Sequence, residues 1–146
     1  MDQTFTSDSV RDTEAIASNL GRSLRGGECL ALFGEMGAGK TQFVRGLLGG
    51  LDGDRHTVSS PTFVLLNVYD TGRLKLFHLD AYRVHGAGDF EAIGFAELLE
   101  QGGVVVIEWP ERVDSLLPAG RIEVRLETLS PMTRRIRISR ASGGPI

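Results

Sequence analysis

A chain of 146 residues with a net charge of −3 has room for one core and no polycationic character, so bulk charge gives no case for nucleic-acid binding. Its single cysteine, Cys29, excludes an intrachain disulfide framework and points to a reducing compartment. No apolar run approaches the roughly 20 residues of a membrane span, and Met1-Asp2-Gln3-Thr4 is polar where a signal peptide turns apolar, so a soluble, cytoplasmic protein with no membrane partner is expected.

Residues 3–6 can form a short edge strand. Asp12 or Thr13 can cap a helix that runs to about Leu24, with Ala15, Ile16, Leu20 and Leu24 on its apolar face. Gly26-Gly27 ends it, and Cys29-Leu30-Ala31-Leu32-Phe33 then reads as a buried parallel strand. A helix over 40–49 follows, its Phe43, Val44, Leu47 and Leu48 at helical spacing. Phe63–Tyr69 and Leu74–Leu79 read as two strands joined by Asp70-Thr71-Gly72-Arg73. Asp89–Gln101 has helical spacing weakened by Gly94, and Val104–Ile107 is a second buried strand. From Arg121 to Ser139, apolar Ile122, Val124, Leu126, Ile136 and Ile138 alternate with polar and charged residues, the pattern of a half-exposed hairpin. The expected architecture is a three-layer α/β P-loop domain over 1–140, a small parallel sheet core extended by antiparallel strands, with 141–146 a flexible tail.

Between the first buried strand and its helix lies Gly34-Glu35-Met36-Gly37-Ala38-Gly39-Lys40-Thr41, which fits the phosphate-binding pattern G-x-x-x-x-G-K-[ST]. Glycines let consecutive backbone N–H groups turn inward, and the helix dipole adds positive potential at the same point. Lys40 can reach β- and γ-phosphates and the Thr41 hydroxyl can ligate Mg²⁺. The lysine stands out, because the chain has two lysines, Lys40 and Lys75, against fourteen arginines. A compact ammonium suits a phosphate cradle better than a planar guanidinium. Nucleoside triphosphate binding follows.

Such a site also needs carboxylates for the metal and the nucleophile, and these stand at the carboxyl ends of apolar strands in open sheets. Asp80 and Glu108 qualify, Asp80 as a metal ligand and Glu108 as a catalytic or metal-shell acid. His78 inside its strand is the weaker candidate, since a strand imidazole is more often packed and hydrogen-bonded than catalytic. Ser59-Ser60-Pro61-Thr62 can serve either a γ-phosphate or a plain turn, and spacing alone does not decide. Trp109, the only tryptophan, can pack under the site or anchor a partner or base. The six arginines of 121–146 read better as a solvated hairpin face with Arg–Glu pairs than as a basic interface.

Four blocks in order carry a resemblance: the loop 34–41, Ser60-Pro61-Thr62-Phe63, His78-Leu79-Asp80-Ala81-Tyr82-Arg83 and Glu108-Trp109-Pro110-Glu111. They resemble the TsaE (YjeE) family, small P-loop ATPases of bacterial tRNA threonylcarbamoyladenosine synthesis. Met36 stands where that family usually has Leu, which keeps the apolar character. The resemblance implies an Mg-dependent ATPase of low intrinsic turnover that supports threonylcarbamoylation of adenosine 37 in tRNAs reading codons that begin with A. It implies TsaD and TsaB as partners that perform the transfer, with tRNA met through that complex. Carried over by position, Glu35, Met36, Gly37, Ala38, Gly39, Lys40 and Thr41 contact ATP, with Thr13, Ser60, Thr62 and Trp109 near the nucleotide or partner surface. Thr41, Asp80 and Glu108 then surround Mg²⁺, and Lys40 and Glu108 are the catalytic pair. Two rivals are a small-molecule P-loop kinase, against which stands the lack of an arginine-bearing lid insertion, and a nucleotide-state binding module that needs no hydrolysis.

Overall fold

In the computed structural model, which describes residues 2–59 and 65–141, seven strands form one sheet. They are β1 (Asp2–Ser7), β2 (Cys29–Phe33), β3 (Leu66–Tyr69), β4 (Leu76–Asp80), β5 (Val104–Glu108), β6 (Ile122–Thr128) and β7 (Arg134–Arg140). The spatial order is β1-β7-β6-β2-β5-β4-β3. The four central strands β6, β2, β5 and β4 run parallel, and β3, β7 and β1 extend them antiparallel on both sides. That is the parallel centre with antiparallel extensions expected from the sequence.

The apolar runs of β2 and β5 are unbroken because both faces of the sheet centre are covered. Leu30, Leu32, Leu76, Val104 and Val106 join one core with Phe43, Val44, Leu47 and Leu48 of α2 (Lys40–Gly50) and Ala17 of α1 (Val10–Ser23). The alternate residues Ala31, Phe77, Leu79, Val105 and Ile107 join a second core with Phe90 of α3 (Ala87–Ala92) and Phe95 and Leu98 of α4 (Phe95–Leu99). Three layers result. Helices α1 and α2 approach so closely that a Cβ on Gly46 would collide with the Glu14 carbonyl, so only glycine fits that crossing. Cys29 is buried in β2, and burial pushes its thiol up to about 12, a structural rather than reactive sulfur.

Some boundaries differ from those the sequence suggested. Helix α1 begins at Val10 with Ser9 as its N-cap, the Ser9 hydroxyl accepting from the Asp12 N–H at 3.0 Å. Asp12 sits in the first turn and accepts from the Asp8 N–H at 3.0 Å, a capping box displaced by one residue. The expected helix over 89–101 is two short helices, because Gly94 takes φ 79° and restarts the turn as the N-cap of α4. Strand β3 is described from Leu66; the expected start at Phe63, with Ser60 and Thr62, lies outside the described residues, as does most of the expected tail, 142–146. In the C-terminal hairpin, Arg135 pairs with its cross-strand partner Glu127 at 2.7 Å, and Arg121 and Arg125 both reach Glu123. The exposed cross-strand pair Arg135–Glu127 is of the expected kind, whereas Arg121 and Glu123 are half-buried and Arg134 turns to the 34–41 loop.

Candidate nucleotide and metal site

Strand parity decides which side chains can meet the phosphate loop. Helix α2 packs on the sheet face that carries Leu76, Val104 and Val106. Side chains two apart share a face, so His78 and Asp80 on β4 and Glu108 on β5 lie on the α2 side. Strands β4 and β5 run in register there, with Asp80 and Glu108 as direct partners at the carboxyl edge. The loop at the end of β2 arrives at the same edge, because β2 is the other parallel neighbour of β5.

Within the loop, Gly37 and Gly39 take φ 80° and 99°, conformations that let its backbone curl, and Gly39 is the N-cap of α2. Lys40 opens the helix and is 7 % exposed. Its ammonium donates to the Gly34 carbonyl at 2.7 Å and lies 3.8 Å from the centroid of a Trp109 ring. Burial lowers its pKa, while Glu108, Asp80 and Glu111 act in the opposite sense and favour the charged form. Ala38 is buried; exposed Met36 lines the cleft beside Gly37, Gly39, Lys40 and Thr41, while exposed Glu35 lines a neighbouring hollow of about 330 Å³ with Gly34, Trp109 and Glu111.

Asp80 accepts from the Tyr82 N–H at 2.8 Å, which fixes its carboxylate. Burial raises its pKa, against the opposing pull of that hydrogen bond, with Glu108 raising it further and Lys40 and His78 lowering it. Glu108 is 5 % exposed, and its Oε2 is 2.6 Å from His78 Nε2, whose ring is fully buried. His78 Nδ1 has no hydrogen-bond partner among the described residues. An ionised carboxylate can only accept, so the short contact is a hydrogen bond that Nε2 donates to Glu108. Just past β5, Trp109 adopts φ 57° and ψ 47°, a left-handed conformation that costs a non-glycine residue about 1–2 kcal/mol. The turn swings its indole over Lys40 and against Tyr82, 5.0 Å between ring centroids, before Pro110 opens a stretch of 3-10 turns to Leu116.

Thr41, Asp80, Glu108 and Trp109 thus share one cleft of about 320 Å³ with the loop. Larger hollows of about 470 and 670 Å³ lie along α1 and contain none of the predicted site residues. Thr13 stands apart from the cleft lining. It is buried in the first turn of α1, its hydroxyl 2.7 Å from that of Ser7. Thr62 lies outside the described residues. Among the described residues, no cluster of three or more His, Cys, Asp or Glu side chains could cage a metal ion. The donor set of the cleft, one hydroxyl and two carboxylates, suits Mg²⁺, which keeps several waters and takes the rest of its shell from phosphate oxygens.

The sequence reading missed two partners. His78 is packed, as expected, but what it bonds is Glu108; the β4–β5 register puts the two diagonally across from each other. Arg134 donates to the Gly37 and Ala38 carbonyls of the loop, and nothing in the local pattern of β7 announces it.

Residues 7–136 match the family model described as Threonylcarbamoyl adenosine biosynthesis protein TsaE. A tRNA threonylcarbamoyladenosine biosynthesis protein TsaE of Treponema pallidum is 44 % identical over 131 residues, 90 % of this chain and 96 % of the relative. The one of Bacillus subtilis is 34 % identical over 125 residues, 86 % of this chain and 77 % of the relative. A crystal structure of Bacillus subtilis YdiB superposes with a TM-score of 0.80 at 27 % identity, covering 98 % of this chain and 87 % of that one. The order of blocks, the fold and the whole-length likeness agree, and the chain belongs to the TsaE family.

Proposed function

We propose that this chain is an Mg-dependent ATPase of low intrinsic turnover that serves tRNA threonylcarbamoyladenosine biosynthesis as the nucleotide-driven accessory of a transferase. One observation carries the reading: the loop lysine and two strand-end carboxylates in direct register converge on one cleft. The names of the relatives support the pathway. TsaD and TsaB are the proposed partners, with adenosine 37 of tRNAs reading codons that begin with A as the modified base, met through that complex. A role in tRNA modification supports a cytoplasmic location; among the described residues no helix is long and apolar enough to cross a membrane.

In this reading the loop N–H groups and the Lys40 ammonium hold the β- and γ-phosphates. Thr41 and Asp80 would hold Mg²⁺, directly or through water, with Glu108 completing the set. The ion, when bound, neutralises charge on the β- and γ-oxygens. Glu108 keeps one carboxylate oxygen on His78 and offers the other to orient the attacking water. Trp109 covers Lys40 and shields the phosphate end of the cleft from bulk water. Glu35, Met36, Gly37, Ala38 and Gly39 form the phosphate path, Thr62 is a proposed contact to nucleotide or partner, and buried Thr13 would act only indirectly, through Ser7 and the start of α1.

Trp109 is also the probe. As the only tryptophan, stacked on the loop lysine, its fluorescence should change on titration with Mg-ATP. Hydrolysis should be slow for the chain alone and rise with TsaB and TsaD added. No binding of Mg-ATP by fluorescence or calorimetry would overturn the reading.

A further inference from the structure

We infer that Arg134 is a positioning residue for nucleotide binding, holding the phosphate loop from behind through its backbone carbonyls. The inference rests on the reading of the cleft as a nucleotide site. Arg134 opens β7, and its guanidinium donates from Nε to the Ala38 carbonyl at 3.2 Å and from Nη2 to the Gly37 carbonyl at 3.1 Å. Nη1 donates to the carbonyls of Ser130, Thr133 and Pro131, at 2.9, 3.2 and 3.3 Å. One planar fork therefore ties the β6–β7 turn to the middle of the loop.

The contact reaches the ligand side through peptide geometry. In a trans peptide the C=O and N–H point in opposite directions. Fixing the Ala38 carbonyl on Arg134 turns the Gly39 N–H away from it, and Gly39 lines the cleft. Fixing the Gly37 carbonyl holds the preceding peptide in the loop's internal turn, where the Ala38 N–H donates to the Glu35 carbonyl at 3.1 Å. Two adjacent peptide planes are thus set before a phosphate arrives. A loop rich in glycine pays heavily to order itself, and pre-ordering removes that cost from binding.

The chemistry suits arginine and no other cation. Five acceptors share three nitrogens in a rigid fork, which an ammonium on a flexible stem cannot reproduce. None of the five is a carboxylate, so these bonds leave the positive charge unneutralised behind an anion site. The turn itself is tied to the start of α1, since the Thr133 hydroxyl donates to Asp8 at 3.4 Å and Ser7 pairs with Arg134 across β1 and β7. Thr13, bonded to Ser7, is one step farther along the same chain of contacts.

The test compares wild type with Arg134→Lys and Arg134→Gln. The dissociation constant of Mg-ATP is read by calorimetry, and amide exchange is followed by mass spectrometry. Both variants should bind Mg-ATP about tenfold more weakly or worse, the scale of losing charge-assisted hydrogen bonds. Exchange should quicken in residues 35–39 while the β6–β7 ladder stays protected. Should the Gln variant not fold, the Lys variant, which keeps the charge and most of the stem, carries the test. Wild-type affinity in a folded variant, or quickened exchange through the hairpin with unaltered binding, overturns the role of Arg134 alone. Failure of wild type to bind Mg-ATP overturns the nucleotide reading, and this inference with it.

Discussion

Eight consecutive residues make the phosphate loop, whereas the edge facing it takes His78 and Asp80 from β4 and Glu108 from β5, with His78 and Glu108 thirty positions apart in the chain. In the proposed function the loop would work through main-chain N–H groups and need few particular side chains beyond Lys40 and Thr41. The edge works through side chains and depends on strand register; a slip of one residue on β5 would turn Glu108 to the opposite face. The loop is therefore robust where the edge is specific. One lysine bridges them, bonded to Gly34 on the loop side and stacked on Trp109 on the other.

Breaking the bridge should have the largest effect. Lys40→Ala removes the ammonium proposed to hold the phosphates, and the charge-balancing cation beside Asp80 and Glu108. We expect Mg-ATP affinity to fall by a hundredfold or more, with native circular dichroism. Retained affinity in the folded variant would show that the loop is not a phosphate site.

The edge should separate binding from chemistry. Glu108→Gln preserves size and the possibility of a hydrogen bond with His78 but removes the charge. It should keep Mg-ATP binding and slow hydrolysis by roughly a hundredfold, the usual scale for losing a positioned acid or base. Wild-type turnover, measured alone and with partners, would remove Glu108 from the mechanism.

The same contrast governs what could be read from the sequence. The loop was legible because its pattern is contiguous and flanked by an apolar strand and an amphipathic helix. Asp80 and Glu108 were legible as residues leaving apolar strands, and the parallel centre with its antiparallel flanks followed from where alternation begins. His78 as the partner of Glu108 was not, because it requires knowing that β4 and β5 are neighbours in register. Arg134 was harder still. Its two acceptors in the loop are carbonyls nearly a hundred residues away, and main-chain acceptors leave no mark on composition. The helix over 89–101 failed for a local reason: helical spacing in Phe90, Ile93 and Leu98 outweighed the single Gly94 that breaks it.

The smallest effect is the most discriminating, because its sign differs between the free and the liganded protein. Burial is the main cause that raises the Asp80 pKa above its ordinary 3.8. The folded chain thus binds that proton more tightly than the unfolded chain does. Protonated Asp80 favours the fold below about pH 3.8, and this advantage is lost as pH rises through the folded value. At neutral pH the ionised carboxylate is a modest net cost, kept for what it can hold. Asp80→Asn retains an oxygen for the Tyr82 N–H and removes the buried charge. In EDTA without nucleotide the variant should melt slightly above wild type at pH 7, with the difference shrinking towards pH 3.8. With Mg²⁺ present the order should invert: the variant's ATP affinity should depend about tenfold less on Mg²⁺, for want of one charged oxygen ligand. Equal Mg²⁺ dependence in the two proteins would take Asp80 out of the metal shell. A lower melting temperature without ligand would show that its charge is stabilising after all.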